Sequence, residues 1–322
     1  MIKLDQPKIS IYLTNQCNLC CKHCFIEGNP RNNDFLSWMQ IKNILEYFHK
    51  NYPTVEFTGG EALLSPYFKD SLILAKKLGY LTGVSTNGVD ESIINQFTPK
   101  LIDKITYSLD GATAKTHDFL RGKGVFDKCI SNIKQAIKKG FRTEVVFTSH
   151  KLNIKEIPDT IDLLDAIGVK KMSFNFINNR GNATFNQKIL ITGQDWIDIR
   201  KLISKHHKTK QISLRYPVMF TTHQEFEKLT KNKQYFCRLL NPIKVEVYPD
   251  GSIYHCCLEP GYKNLKAGRV TDQKVIINTK NEISFANKYK HLSCPIYQTG
   301  PMYTNGSKII PFCVYYKHIT KD

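Results

Sequence analysis

The chain has 322 residues, 41% of them hydrophobic, enough for one large domain or for one domain with a smaller companion. No apolar run approaches the ~18 residues that a membrane span needs, and the first residues lack the apolar segment of a signal peptide. We therefore expect a cytoplasmic protein without membrane contact. The ten cysteines would be reduced there, which favours metal ligation over a disulfide framework.

The formal net charge is +18, with lysines concentrated at 138–139, 170–171, 205–210 and 228–233. None of these patches is interleaved with aromatic residues, as a nucleic-acid groove usually is. Two interpretations stay open. The lysines form solvated surface, or their long-range field attracts an acidic partner, either a peptide or RNA. The pattern itself does not favour nucleic acid.

Strand and helix patterns alternate along the first two thirds of the chain. A capping box of Ser37 and Gln40 predicts the start of the first helix. Helices are also predicted over 66–78, 126–137, 155–166 and 192–206. Strands are predicted over 9–13, 55–58, 81–85, 105–108, 144–147 and 172–176. This alternation indicates an α/β fold of six parallel units, which fits a partial (β/α)6 barrel.

The pattern changes after about residue 210. The segments 244–248 and 252–255 predict a β-hairpin that turns at Asp250-Gly251, and the rest is expected to be mostly irregular and cysteine-bearing. We therefore predict two domains, a core over 1–210 and a small cysteine-bearing domain over 211–322.

Three cysteines follow the first predicted strand in the spacing C-x3-C-x2-C, namely Cys17, Cys21 and Cys24. Thiolates on so short a loop can converge on one face of an iron–sulfur cube. Zinc or a disulfide remains open from the spacing alone. We interpret Cys20, which interrupts the motif, and Cys129, on an apolar helix stripe, as packing residues.

Three polar motifs lie where later strands end: Phe57-Thr-Gly-Gly-Glu61, Ser85-Thr-Asn-Gly88 and Ser108-Leu-Asp-Gly111. In β/α barrels, chemistry gathers at the carboxyl ends of the strands. With the cysteine loop, these motifs resemble, in order, the radical S-adenosylmethionine (radical SAM) superfamily over roughly residues 5–180.

The resemblance implies that Cys17, Cys21 and Cys24 hold a [4Fe–4S] cluster with one open iron, to which S-adenosylmethionine binds. An electron, delivered by a donor such as flavodoxin or ferredoxin, then cleaves the cofactor. The resulting 5′-deoxyadenosyl radical abstracts a substrate hydrogen.

The remaining cofactor contacts follow from the same motifs. The resemblance implies that Gly59 and Gly60 let the backbone approach the ligand closely and that Glu61 accepts from its ammonium group; a strand-end turn with a solvated Glu61 is the alternative. Arg121 would face the cofactor carboxylate or an acidic substrate, or would be an ordinary surface arginine. Four further side chains would bind the ribose hydroxyls or the carboxylate, with turn or cap roles as the alternative; they are Ser85, Asn87, Ser108 and Asp110.

The C-terminal cysteines show a second resemblance. Cys237, Gly251 and Cys256 follow the pattern C-x13-G-x4-C, which resembles the opening of the SPASM/twitch auxiliary domain behind many radical SAM cores. With Cys294 and Cys313 there are enough thiolates for one auxiliary [4Fe–4S] cluster, as in the smaller twitch form. The wide spacing of these last two leaves the fourth ligand open, and zinc is the alternative.

Cys257 stands directly beside Cys256. Adjacent side chains on a strand point to opposite faces, so both are not expected to ligate one iron. In radical SAM peptide epimerases, a lone cysteine near the auxiliary cluster gives a hydrogen atom to the substrate radical. We predict that role for Cys257, and a packed spare cysteine is the alternative.

Three functions remain open. The first is modification of a ribosomally made precursor peptide, by Cα epimerisation or crosslinking. The second is a small-molecule epimerase or dehydrogenase acting on an aminoglycoside or sugar, and the third is a non-catalytic Fe–S scaffold. The strand-end motifs argue against a scaffold, and positive charge suits an acidic peptide better than a cationic aminoglycoside. Because the first predicted strand starts early, we expect no leader-binding module before the core, which weakens the peptide hypothesis without excluding it.

Overall fold

A computed structural model describes residues 6–177, 179–207, 210–231, 243–256, 265–289 and 309–319. The strands are β1 Lys8–Tyr12, β2 Thr54–Thr58, β3 Leu81–Thr86, β4 Lys104–Ser108, β5 Thr143–Ser149, β6 Lys171–Phe176, β7 Ser213–Thr222, β8 Lys244–Val247, β9 Ser252–Tyr254, β10 Gly268–Val270, β11 Val275–Ile277 and β12 Ile309–Ile319. The α-helices are α1 Trp38–Phe48, α2 Phe68–Lys77, α3 Ser92–Gln96, α4 Ala114–Arg121, α5 Val125–Lys138, α6 Ile157–Ala166, α7 Gly193–His206, α8 His223–Lys231 and α9 Lys280–Tyr289.

The described strands form one sheet in the order β11-β10-β9-β8-β1-β2-β3-β4-β5-β6-β7-β12. Strands β1 to β7 are parallel throughout. This confirms the six predicted β/α units and the α/β fold class. Because parallel β/α units bring their strand ends to the same edge, the three polar motifs and the cysteine loop share the carboxyl edge of the sheet.

Alternation along each strand separates a core face from a barrel interior. Ile9 and Ile11 of β1 and Val55 and Phe57 of β2 are fully buried in the main hydrophobic core. Residues between them face the other way, as the period of two requires. The interior face is therefore polar, whereas the face under the helices is apolar.

The predicted start of the first helix is confirmed. The Gln40 backbone N–H donates to Ser37 Oγ at 3.1 Å, and the Ser37 N–H donates to Gln40 Oε1 at 2.9 Å, which completes the capping box. In α5, Cys129 is fully buried, as the apolar stripe predicted. Cys20 is exposed, so the packing role expected for it is wrong. A loop residue need not be buried because the cysteines that flank it, Cys17 and Cys21, are buried.

The expectation of irregular structure after residue 210 is wrong in part. Strand β7 continues the barrel sheet, pairing in parallel with β6 up to Ser173 opposite Arg215. Pro217 inside β7 lowered the strand signal, since proline cannot donate to a ladder. It lies beyond the parallel pairing, in the part of β7 that pairs with β12.

The predicted hairpin is present as β8 and β9, with Gly251 in the turn at φ 78°. β8 also pairs in parallel with β1, placing Lys8 opposite Lys244. The division at residue 210 stays a prediction, but strands from both sides of it share the one sheet. In the described ranges, no helix is both long and apolar enough to cross a membrane.

Candidate functional site

The cysteine loop leaves the end of β1 and is held by two later segments. The Lys22 N–H donates to the Leu120 carbonyl of α4 at 2.9 Å. Asn182, in the loop after β6, donates its backbone N–H to Cys24 O and its amide Nδ2 to Cys21 O, both at 2.9 Å. The loop backbone is thus fixed by helix α4 and by the segment after β6, both of which lie far from β1 in sequence.

Backbone N–H groups point at the thiols. Leu19 N lies 3.4 Å from Cys17 Sγ, and Gly28 N lies 3.2 Å from Cys24 Sγ. Burial raises the pKa of Cys17 to about 12 and that of Cys21 to about 11. Buried thiols of this kind ionise only when a metal compensates the charge, because the low dielectric opposes a bare thiolate.

No three His, Cys, Asp or Glu side chains of the described residues converge as ligands of a single metal ion. A cubane does not require such convergence, because each thiolate binds a different iron of the cluster.

Gly59 and Gly60 fit against the backbone after β1 with no room for a side chain. A Cβ on Gly59 would lie 2.4 Å from Thr14 O, and one on Gly60 would lie 2.2 Å from Gln16 O. Gly59 also has φ +153°, a conformation that favours glycine. Gly60 N and Glu61 N donate to those same two carbonyls at 2.8 Å. The glycines therefore press the β2 end onto the start of the cysteine loop.

Glu61 is almost fully buried, and its two oxygens differ. Oε2 accepts from Thr86 Oγ1 and from the Asn87 backbone N–H, each at 3.0 Å. Oε1 is buried and has no hydrogen-bond partner among the described residues. Burial raises the pKa of this carboxyl to about 7. An orphaned buried carboxylate oxygen is costly unless a ligand satisfies it, so this atom is ready to accept from an ammonium group.

Asn87 links the acid to the cysteine loop. Its amide Nδ2 donates to Asn18 Oδ1 at 2.7 Å and lies 3.8 Å from Cys17 Sγ. Ser85 Oγ donates to Glu56 Oε1 at 2.8 Å inside the barrel. For Ser108, no hydrogen bond of the hydroxyl to a described residue is present, so that group is available to a ligand.

Asp110 and Arg121, both predicted to contact the cofactor, contact each other. Arg121 Nε donates to Asp110 Oδ2 at 2.6 Å, while the Thr148 N–H donates to Oδ1 at 2.8 Å. Asp110 is fully buried, and Arg121 is buried too, so it is not a surface arginine. The Arg121 charge holds the pKa of Asp110 well below its usual range. His23, from the cysteine loop, lies 3.5 Å from the same Oδ2.

The structure therefore gathers Cys17, Gly60, Glu61 and Asn87 into one bonded set. It ties Asp110 and Arg121 to the other side of the cysteine loop through His23, whose Nε2 lies 3.4 Å from an Arg121 guanidinium nitrogen. Sequence reasoning missed Asn182, which contacts the loop from 161 residues away. No local signal could have found it.

Most of the predicted auxiliary residues fall outside the described part of the chain. These are Cys237, Cys257 and Cys294; of Cys313, only the β12 backbone is described. Cys256 is described two residues after the end of β9 and packs, partly buried, against the main core.

The comparison with family models matches residues 11–164 to the radical SAM superfamily. Over these residues the chain is similar to that superfamily, whose members use S-adenosylmethionine and a [4Fe–4S] cluster. The residues present fit both groups, since the thiols, the glycine cradle and the orphaned Glu61 oxygen meet at one edge of the sheet.

Two curated relatives give the range of functions nearby. The chain is 29% identical over 203 residues to the antilisterial bacteriocin subtilosin biosynthesis protein AlbA of Bacillus subtilis, covering 61% of this chain and 43% of AlbA. It is 26% identical over 194 residues to the Fe-coproporphyrin III synthase of Methanosarcina barkeri, covering 58% and 48%. The match spans less than half the length of either relative.

Among solved structures, the chain is similar to Streptococcus suis SuiB bound to the precursor peptide SuiA. The TM-score is 0.65 at 18% identity, covering 82% of this chain and 62% of SuiB. This likeness confirms the mixed α/β radical SAM fold.

Proposed function

We propose that the chain is a radical SAM enzyme that cleaves S-adenosylmethionine reductively and abstracts a hydrogen atom from its substrate. One observation carries the proposal: Asn87 donates its backbone N–H to Glu61 while its side chain lies 3.8 Å from Cys17 Sγ. Asn87 therefore links Glu61, whose Oε1 is an unsatisfied acceptor for an ammonium group, to Cys17, a predicted cluster ligand. A cofactor that must reach an iron and place its amino group needs this juxtaposition.

The chain's own residues bind and orient. Cys17, Cys21 and Cys24 would hold the cluster, Glu61 would accept from the ammonium group, and Gly59 and Gly60 keep side chains out of the space the ligand approaches. When bound, the cluster and cofactor supply the 5′-deoxyadenosyl radical. The burial of Glu61 and of two of the three cysteines excludes water from the reacting groups.

The test is anaerobic reduction of the reconstituted protein with S-adenosylmethionine. We expect release of 5′-deoxyadenosine and methionine, and weaker cofactor binding in Glu61→Ala, which loses the ammonium acceptor. Unchanged cofactor affinity in that variant would mean that Glu61 does not bind the ammonium group.

We further propose one auxiliary [4Fe–4S] cluster held by Cys237, Cys256, Cys294 and Cys313. The reconstituted chain should then contain about eight irons, and replacing Cys17, Cys21 and Cys24 together by Ala should leave about four. Zinc bound at the C-terminal cysteines would exclude the auxiliary cluster.

For the substrate, we propose a ribosomally made precursor peptide. AlbA is named for the biosynthesis of a bacteriocin, and SuiB was solved with a precursor peptide. The net charge of +18 suits an acidic peptide. A small molecule is the second candidate, because the Fe-coproporphyrin III synthase matches nearly as well. A short open reading frame beside the gene, whose product stimulates 5′-deoxyadenosine release, would favour the peptide.

For the reaction, we propose Cα epimerisation with Cys257 as the hydrogen-atom donor. A Cα radical formed on one face would take the thiol hydrogen on the other. The thiyl that remains would return to a thiol with one proton and one electron from the external donor. Because thiol protons exchange with solvent, turnover in D2O should place one deuterium on the epimerised carbon.

Cys257→Ala should keep the iron and the cofactor cleavage and release no epimer. Loss of iron in that variant would exchange the roles of Cys256 and Cys257. If Cys256→Ala and Cys257→Ala each retained full turnover, neither thiol would be the donor, and crosslinking or dehydrogenation would be the better account.

A further inference from the structure

A lysine is the first residue of four barrel strands: Lys8 of β1, Lys104 of β4, Lys171 of β6 and Lys244 of β8. In each strand the next residue, from Ile9 to Val245, is buried in the core. The period of two therefore turns the lysines toward the barrel interior. Parallel strands start at the same end of a barrel, so these cations gather at its amino-terminal end. We call the four lysines, with Arg215 of β7, the cation ring.

The acids of the barrel interior pair with part of this ring. Lys104 Nζ lies 2.8 Å from Glu56 Oε2 and 3.9 Å from Glu144 Oε2. Gly83, between their strands, leaves room for the first pair, since a Cβ there would lie 3.0 Å from Glu56 Oε2. Lys171 Nζ lies 3.8 Å from Glu144 Oε2.

On β8, Lys244 pairs with Glu246, which also accepts from the Tyr248 hydroxyl at 3.2 Å. The three carboxylates thus contact Lys104, Lys171 and Lys244, and none of them makes an ion pair with Lys8. A buried cation without a counter-charge in contact with it attracts an anion.

Among the described residues, Lys8 is the lysine of the ring without a counter-charge in contact with it. Its ammonium makes no hydrogen bond and no ion pair with any residue in the described ranges. Burial, together with the charges of Lys244, Lys104 and Arg215, lowers the pKa of this amine to about 7 against the attraction of Glu56. A bound anion beside Lys8 would favour its protonated form.

Solvent reaches the ring. The exposed fractions of the Lys104, Lys171 and Lys244 side chains are 23%, 18% and 19%. The ring is also linked upward, because Glu56 accepts from Ser85 Oγ near the carboxyl end of β3. An anion can therefore reach the cations without unfolding the barrel, beneath the candidate cofactor site.

We infer that the amino-terminal end of the barrel interior is an oxyanion-binding site, with Lys8 as the ligand that other residues leave unsatisfied. It takes a carboxylate or phosphate group. The inference concerns binding alone and holds whether or not the proposed radical chemistry is correct.

The test is calorimetric titration of the cluster-loaded, oxidised full chain at low salt, without reductant or S-adenosylmethionine. Two probes separate the sources of the oxyanion: inorganic phosphate represents a free anion, and N-acetylglutamate α-amide represents an acidic peptide side chain. We expect one molecule of at least one probe to bind, with affinity that falls as salt is added.

Lys8→Met should weaken that binding about tenfold or more, because a charge-assisted hydrogen bond is lost. The variant should fold, since it removes an unpaired, partly buried cation, and its thermal midpoint should rise. Lys201→Met is the matched control, because the Lys201 side chain is 72% exposed and pairs only with its helix neighbour Asp198 among the described residues.

Binding of only the glutamate probe, lost in Lys8→Met, would identify an acidic side chain as the ligand. Two outcomes overturn the inference. One is that neither probe binds the wild-type chain. The other is that Lys8→Met binds as the wild type does, which would assign the anion to surface lysines.

Discussion

Two buried carboxylates lie at the carboxyl edge of the barrel sheet, Glu61 after β2 and Asp110 after β4. They differ in how their oxygens are hydrogen-bonded. Both Asp110 oxygens are taken by Arg121 and the Thr148 N–H. Glu61 has one oxygen bonded and one orphaned. Accordingly, the pKa of Asp110 lies below its usual range and that of Glu61 is raised to about 7. Burial alone does not identify a ligand-binding acid; an unsatisfied oxygen does.

The largest expected effect is the loss of stability when Asp110, the carboxylate with both oxygens bonded, is replaced. Asp110→Asn leaves Arg121 buried without its counter-charge, and removing one partner of a buried pair costs about 3–5 kcal/mol of unfolding free energy. Chemical denaturation measures this loss. Asp198→Asn is the control, since that side chain is 57% exposed in a pair with Lys201, and we expect a change within about 0.5 kcal/mol. Equal effects would mean that the Asp110 pair is not stabilising.

Glu61, with its orphaned oxygen, should make stability depend on pH in the opposite direction to Asp110. The folded pKa of Glu61, about 7, exceeds the ordinary glutamate value of 4.5, so the folded protein keeps a proton that the unfolded chain loses. Stability should therefore fall as pH rises from about 4.5 to 7, by about 3 kcal/mol in total. Asp110, with its depressed pKa, contributes stability at neutral pH that is lost as pH falls below its unfolded value.

Glu61→Gln should remove the Glu61 part of this slope. The measurement is denaturation of wild type and variant across that pH range without S-adenosylmethionine. Glu46→Gln is the control, because its side chain is 48% exposed. Parallel curves for wild type and Glu61→Gln would contradict the raised pKa.

The six strands and the polar motifs at their ends could be predicted from the sequence. The contrast between the two acids could not. The strands could be predicted because each core face, such as Ile9 and Ile11, alternates with polar interior positions. Glu61 and Asp110 both belong to polar motifs at the carboxyl ends of strands. Which oxygen is taken depends on Arg121 and on Thr148, 38 residues beyond Asp110.

The glycine cradle gives a third, smaller effect. In Gly60→Ala the new Cβ meets Gln16 O at 2.2 Å, and backbone cannot move aside as a flexible side chain can. We expect a loss of about 1–3 kcal/mol in stability, with weaker binding of S-adenosylmethionine because Glu61 moves with the strand end. Gly79→Ala is the matched control: its Cβ meets nothing within 4 Å, so it suffers only the strain of φ +85°. Normal cofactor affinity in Gly60→Ala would show that the cradle is not part of the site.

The smallest effect separates two serines that the sequence treated alike. Ser85 Oγ already donates to Glu56 at 2.8 Å, so Ser85→Ala should cost about 1 kcal/mol of stability and change the affinity for S-adenosylmethionine by less than about twofold. The Ser108 hydroxyl bonds to no described residue. Ser108→Ala should therefore leave stability within about 0.5 kcal/mol and weaken cofactor binding. Denaturation and cofactor titration of both variants measure the contrast. If Ser85→Ala weakens binding more than Ser108→Ala does, the cofactor contacts the Ser85 hydroxyl although Glu56 already accepts from it. An unsatisfied polar atom would then not identify the cofactor contacts at the carboxyl edge of the sheet.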